Sequence, residues 1–251
     1  MPVTIHYDNG TNWVAAPTPQ GKLYLDDGTQ WLPVDSTPEL APFSVTQSKV
    51  TASGALVTTL TGTLNNDCTA GRLLIADLSV DKQATAITVG TGWTLIQAPY
   101  SNTSVSKAWA YRIATGTSAD KSAQFTWSSA RGAVIGMMET NLLNAAIVGT
   151  PFVDGTEVGA SDRWFNLGNA TAKGLFLASV SLDSLADAAN FTWDNGIELL
   201  VARGGAASGS IAGTIGGFLV DQGAPMTAHV THPNDQVVSM GVLFSGTTPS
   251  T

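Results

Sequence analysis

The sequence predicts an all-β protein: an antiparallel β-sandwich or jelly-roll body with two similar halves, preceded by a short β-hairpin arm. Three observations carry this. Short apolar runs alternate with turns rich in Gly, Asn, Asp and Ser throughout. No segment holds an apolar stripe at i, i+3, i+4 and i+7 long enough for a sustained helix. Two short units and two long segments repeat at nearly constant offsets.

The arm spans residues 1–36. Asp8-Asn9-Gly10-Thr11-Asn12-Trp13-Val14 matches Asp26-Asp27-Gly28-Thr29-Gln30-Trp31-Leu32 at an offset of 28 − 10 = 18 residues. Asp-Asn-Gly and Asp-Asp-Gly supply the positive φ that tight hairpin turns need. Each turn follows a short alternating strand, Thr4 to Tyr7 or Lys22 to Leu25, and precedes a tryptophan on the returning strand. A two-stranded unit cannot bury its own core. Trp13 and Trp31, with Tyr7 and Tyr24 on the outgoing strands, are therefore the expected interface residues for docking or oligomerisation.

Pro33, Pro38 and Pro42 punctuate the next stretch and place the domain boundary at about 36–44. The body spans 44–247. Its candidate strands are Ala55–Leu60, Arg72–Val80, Trp93–Ala98, Ser106–Ile113, Ala123–Trp127 and Ala133–Glu139, then Arg163–Asn166, Gly174–Leu182, Ile197–Ala202, Gly216–Val220, Thr227–Thr231 and Val237–Phe244. Asp183 to Ala189 fits a single helical turn.

The two series look related. Residues 71–81 match 173–183, an offset of 173 − 71 = 102, and Ala123-Gln124-Phe125-Thr126 matches Ala228-His229-Val230-Thr231, an offset of 228 − 123 = 105. A tryptophan segment follows in both halves, around Trp93 and Trp193. The favoured reading is one double-sheet body; two tandem sandwiches, 44–142 and 148–247, are the alternative.

Composition narrows the function. Charged residues make up 12% of the 251 residues, about half the roughly 25% of an ordinary soluble domain, so the polar surface must come from Thr, Ser, Asn and Gln. That suits virion or extracellular β-proteins. Net charge is −8, and the 11 Lys and Arg are scattered, which argues against a nucleic-acid partner. The first residues lack the basic start and apolar core of a signal peptide, and no stretch approaches the ~20 apolar residues of a membrane span, so no membrane insertion is expected. The single cysteine, Cys68, precludes an internal disulfide and reads as a buried side chain.

No catalytic pattern emerges. His229 and His232 are three residues apart, which on a strand sends them to opposite faces, and His232 reads as a turn residue before Pro233. No Gly-x-Ser-x-Gly elbow occurs. Gly204 to Gly209 lacks the lysine of a phosphate loop and reads as a loop. Asp154, Glu157, Asp162, Asp183, Asp187 and Asp194 lie mostly beside turn residues. No enzyme activity, cofactor or metal is expected. Among the seven tryptophans, Trp93, Trp109, Trp127 and Trp193 sit in apolar strands and read as core. Trp164, next to a polar turn with Asp162, is the candidate ligand-facing pair.

Gly92-Trp93-Thr94-Leu95-Ile96, Ala108 to Ala114, Phe125-Thr126-Trp127-Ser128-Ser129 and Ala133-Val134-Ile135-Gly136 together resemble a β-sandwich module of minor tail proteins of actinobacterial phages and related bacterial surface proteins. The Gly-Thr-x-Trp units resemble the leader units of such tail proteins. The resemblance covers most of the chain in order and is looser in the second half. It implies a non-enzymatic virion structural protein, assembled in the host cytoplasm, with other virion proteins as partners and a homo-oligomeric state, a trimer being favoured. The alternatives are a capsid decoration protein and a carbohydrate-binding module that recognises a host surface glycan.

Overall fold

The computed structural model describes residues 6–8, 13–15, 23–26, 31–34, 43–183, 191–194, 197–204 and 211–249. The chain is all-β, and its sheets are antiparallel. It divides into two compact units, Met1–Leu40 with Ser250–Thr251, and Ala41–Pro249.

The described residues of the first unit form two hairpins. β1 (His6–Asp8) pairs with β2 (Trp13–Ala15), and β3 (Leu23–Asp26) pairs with β4 (Trp31–Val34). Asp8 lies opposite Trp13 and Asp26 opposite Trp31, so the 18-residue repeat (26 − 8 and 31 − 13) is a repeat of backbone register. Pro33, expected in the linker, lies in β4 opposite Tyr24. A two-stranded ribbon consists only of edge strands, which tolerate the missing N–H. The side chains of Tyr7, Trp13, Tyr24 and Trp31 lie outside the described residues.

The second unit contains the same arrangement twice, its two large sheets joined through β13 (Ala133–Asn169) and β18 (Pro225–Thr247) into one continuous 11-stranded sheet. In its first half a large sheet runs β5 (Val45–Ala52), β13 (Ala133–Asn169, through its first residues), β7 (Arg72–Asp81) and β11 (Val105–Ile113). Short strands β9 (Thr94–Leu95) and β10 (Tyr100–Ser101) pair with β11. A small sheet, β6 (Val57–Thr63), β12 (Ser122–Arg131) and β8 (Thr88–Val89), covers one face of it. In the second half the large sheet runs β13, β18 (Pro225–Thr247), β14 (Gly174–Leu182), β17 (Ile211–Val220) and β16 (Glu198–Gly204). The end of β13 and the start of β18, with β15 (Thr192–Trp193), form its cover.

The duplication holds residue by residue. Val80 opposite Ala133 corresponds to Leu182 opposite Val237, with offsets 182 − 80 = 102 and 237 − 133 = 104. Ser106 opposite Val80 corresponds to Ala212 opposite Leu182, with 212 − 106 = 106. Gln124 opposite Thr61 corresponds to His229 opposite Trp164, with 229 − 124 = 105 and 164 − 61 = 103. Phe125 opposite Val89 corresponds to Val230 opposite Trp193, with 193 − 89 = 104. The last pairing corrects one expectation: Trp193 is the counterpart of Val89, not of Trp93. The larger ring is admitted because residue 216 is a glycine, where a Cβ would come within 2.7 Å of the indole. The first-half counterpart of that glycine is Ala110 (216 − 106).

Three apolar layers follow from strand parity. Leu74, Ala76, Leu78 and Val80 of β7 meet Ala123, Phe125 and Trp127 of β12. Phe176, Ala178, Val180 and Leu182 of β14 meet Phe165, Val230 and Trp193. The odd-numbered side chains of the same strands, Leu73 and Ile75 with Leu175 and Leu177, pack between the two large sheets with Trp109, Met240, Val242 and Phe244. β7 and β14 are thus buried on both faces, which explains apolar runs without alternation. The tryptophans expected in the core, Trp93, Trp109, Trp127 and Trp193, are buried, as is Cys68.

Several boundaries differ from expectation. β5 has no counterpart among the expected strands, because most of its outward residues are polar and its two valines are half-buried. The stretch between the halves is strand throughout: β13 continues through it with repeated register shifts, so it serves the large sheet and then the cover. Trp93 to Ala98 is strand only at Thr94–Leu95. His232 is buried within β18, not at a turn, because β18 runs on through Pro233 into the large sheet. The expected helical turn at 183–189 lies outside the described residues beyond Asp183, and so does the loop at 205–210.

At the centre of the layer between the large sheets lies a polar cluster. Lys107 Nζ is 2.5 Å from Asp77 Oδ1, and the two side chains are 0% and 4% exposed. Lys107 also donates to Ser181 Oγ at 3.0 Å, Ser179 Oγ donates to Asp77 Oδ2 at 2.7 Å, and the hydroxyls of Ser79 and Ser181 lie 2.6 Å apart. Burial pushes the Lys107 ammonium below its usual value, and Asp77 opposes that. Ser179 and Ser181 are the counterparts of Asp77 and Ser79 (179 − 77 and 181 − 79, both 102). Equivalent residues therefore meet one another, as they do near a two-fold axis. The counterpart of Lys107 is Gly213 (213 − 107 = 106). A Cβ there would sit 2.8 Å from Ser79 Oγ and 3.2 Å from the Val180 carbonyl, so the second half leaves this space to the first half's lysine.

Removing one member of such a pair strands a buried charge. Lys107→Met is expected to lower the unfolding free energy by about 3–5 kcal/mol, measured by urea denaturation, and adding Asp77→Asn is expected to recover part of the loss. A second buried carboxylate gives a pH test. Asp120 is 0% exposed, accepts the backbone N–H groups of Thr115 (2.7 Å) and Thr117 (3.0 Å), and meets Arg112 Nη2 at 2.6 Å. Burial raises its pKa, but these donors and Arg112 outweigh burial and hold it below 3.8. A depressed carboxylate stabilises the fold above its unfolded value and loses that contribution as pH falls through its folded value. Asp120→Asn is expected to cost about 1–3 kcal/mol near neutral pH, and the gap to the parent protein should close below pH 3.8.

Candidate functional site

The outer face of the second half's cover carries one aromatic and charged cluster. Alternation along β13 turns Phe165 into the core and Trp164 outward; along β18 it turns Ala228 and Val230 inward and His229 outward. Trp164 and His229 are directly opposite each other, the arrangement in which cross-strand side chains interact most closely. Their rings stack with centroids 4.0 Å apart and planes 20° from parallel. His229 Nδ1 lies 3.1 Å from Asp194 Oδ2, and Nε2 lies 3.4 Å from Asp162 Oδ2. Both ring nitrogens thus face carboxylates, which fixes the imidazole plane, and the imidazole fixes one face of the indole. The other face is free: Trp164 is 64% exposed, the most exposed large apolar side chain among the described residues.

Beside the indole is a cavity of about 440 Å³ lined by Trp164, Asp194, Ile197, Phe218, Thr227 and His229, among others. That volume lies within the roughly 300–1,000 Å³ of small-molecule sites. The lining combines apolar side chains, among them Ile197 and Phe218, with the carboxylate of Asp194 and the hydroxyl of Thr227.

Trp164 and Asp162, the residues expected to face a ligand, thus come together. Sequence reasoning missed His229, read only as an unlikely metal ligand, and Asp194, read only as a turn residue. The register offset of 105 placed His229 opposite Trp164 in principle, but that inference needed the pairing of β13 with β18. His229 and His232 do diverge, the first on the outer face and the second buried.

Other chemistry is sparse. Among the described residues, no group of three or more His, Cys, Asp or Glu side chains is placed to hold a metal ion. The Cys68 thiol is pushed up to about 11 by burial and by the Glu139, Asp120 and Asp67 carboxylates, so it stays protonated and unreactive near neutral pH. Among the described residues, no helix is long and apolar enough to cross a membrane. Protein-family models, curated proteins and solved structures contain no match to this chain.

The duplication supplies an internal reference for the cluster. The counterparts of His229, Trp164 and Asp162 in the first half are Gln124, Thr61 and Thr59 (229 − 105, 164 − 103, 162 − 103). There Gln124 donates to Thr61 Oγ1 at 3.3 Å, and none of the three residues is aromatic. The same fold therefore closes with an amide and two hydroxyls on this face. Trp164→Thr with His229→Gln is expected to leave the fold intact at a cost of about 1–2 kcal/mol, since the stacked pair and the contacts of His229 are lost; thermal denaturation followed by circular dichroism checks this.

Proposed function

We propose that this chain is a non-enzymatic structural protein of a phage virion, a minor tail protein that docks through its hairpin arm and displays the duplicated body. One observation carries the reading: two hairpins repeated in register, each with a tryptophan opposite an aspartate, form a compact unit of their own. Isolated two-stranded hairpins are marginal in water, so a unit built of them gains stability from a partner. Other virion proteins and further copies of the chain, three in the favoured arrangement, are that partner. The low charge, the hydroxyl-rich exterior and the segments that resemble tail-protein modules support the same reading.

A second reading, carbohydrate recognition, is favoured by the exposed, braced Trp164. The two are compatible, since a displayed body can carry a binding face. Deleting residues 1–36 is expected to leave a folded body that no longer joins the particle, scored by immunoblot of purified virions. Normal incorporation of the truncated chain would refute docking through the arm.

A further inference from the structure

We infer that the Trp164–His229 face binds a neutral or amino sugar, with the indole as platform and Asp162 and Asp194 as acceptors for sugar hydroxyl or ammonium groups. Four observations combine. The exposed indole presents a flat π-face, which attracts C–H groups and cations through its quadrupole. It is held from behind by an imidazole whose two nitrogens are themselves held, so little side-chain freedom is lost on binding. An open cavity of about 440 Å³ adjoins the indole. The carboxylates, at 52% and 53% side-chain exposure, keep oxygens available beyond those meeting His229.

The first half argues that this face is not a by-product of folding. It reaches the same register and the same buried core with Gln124, Thr61 and Thr59 at these positions. Exposing an indole costs hydration free energy of apolar surface and is not needed to close the sandwich. Charge then narrows the ligand. Two carboxylates flank the platform, and both face the imidazole of His229, so a uronic acid, a sialic acid or a phosphorylated sugar would be repelled. A pyranose with hydroxyl or amino groups is favoured: its C–H face lies on the indole while its polar edge reaches the carboxylates.

This site gives the displayed body a ligand, but sugar binding by the purified chain is independent of whether the arm docks to a particle. The test uses the full chain on a glycan array containing neutral, amino and acidic oligosaccharides. Binding is expected for neutral or amino sugars and absent for acidic ones. Trp164→Thr with His229→Gln, which installs the first half's residues, is expected to weaken binding at least ten-fold while the chain remains folded. Asp162→Asn with Asp194→Asn keeps the shape and removes the charge; it is expected to weaken binding and to relax the exclusion of acidic sugars. It also decides the matter if the first variant fails to fold. An array without hits, hits on acidic sugars by the parent chain, or binding unchanged in the folded variants would each overturn the assignment.

Discussion

The buried contact of Lys107 with Asp77 is the interaction around which the body is organised. It lies in the middle of an otherwise apolar layer, and each charge takes a hydrogen bond from or gives one to a serine of the other half. Apolar packing alone would hold the two large sheets together through Leu73, Ile75, Leu175, Leu177 and their neighbours, but apolar contacts are non-directional. A shifted or rotated docking would keep much of that burial. It would also separate the charges from Ser179 and Ser181, and stranding polar groups in a dry layer costs several kcal/mol. The pairing of β13 with β18 already joins the two large sheets into one continuous 11-stranded sheet, and the cluster adds a directional contact to the docking which that pairing allows.

The cluster is also where the duplicated halves stop being interchangeable. The first half contributes both charges; the second contributes two hydroxyls and the space left by Gly213. A symmetric arrangement with a lysine in each half would bring two ammonium groups into one buried space, and a glycine in each would leave a cavity. Division of labour at a two-fold contact resolves both problems. The same divergence recurs on the outside, where Gln124 and Thr61 of one cover correspond to His229 and Trp164 of the other. Inside, the difference makes that directional contact; outside, nothing in the packing requires it, and that separates the surface position as one available to a ligand.

Much of this was legible in particular residues. The run from Gly174 to Leu182 is a strand with those bounds, because an apolar run of that length bounded by turn residues has few other fates. The match of residues 71–81 to 173–183 proved to be a match of register, since substitutions in a duplicated strand are constrained by the same neighbours. β5 was illegible because Thr, Gln, Ser and Lys dominate it and its partner strand, β13, supplies the burial. The continuous path of β13 was illegible because register shifts break the alternation that identifies a strand. Trp164 and Asp162 stood out as a polar-flanked aromatic, whereas His229 and Asp194 are distant in sequence and carry no local signal.

The sequence by itself determined the all-β class, the paired hairpins, the burial of four tryptophans and the near-constant offset between halves. These depend on local alternation, turn chemistry and side-chain size, all of which act within a few residues of the chain. Tertiary structure decided which faces of β7 and β14 meet, that an ion pair in one half is completed by serines of the other, and that an indole, an imidazole and two carboxylates share one surface. Each of these joins residues from about 30 to about 100 positions apart, and only the register of paired strands, set by the whole sheet, brings them within reach.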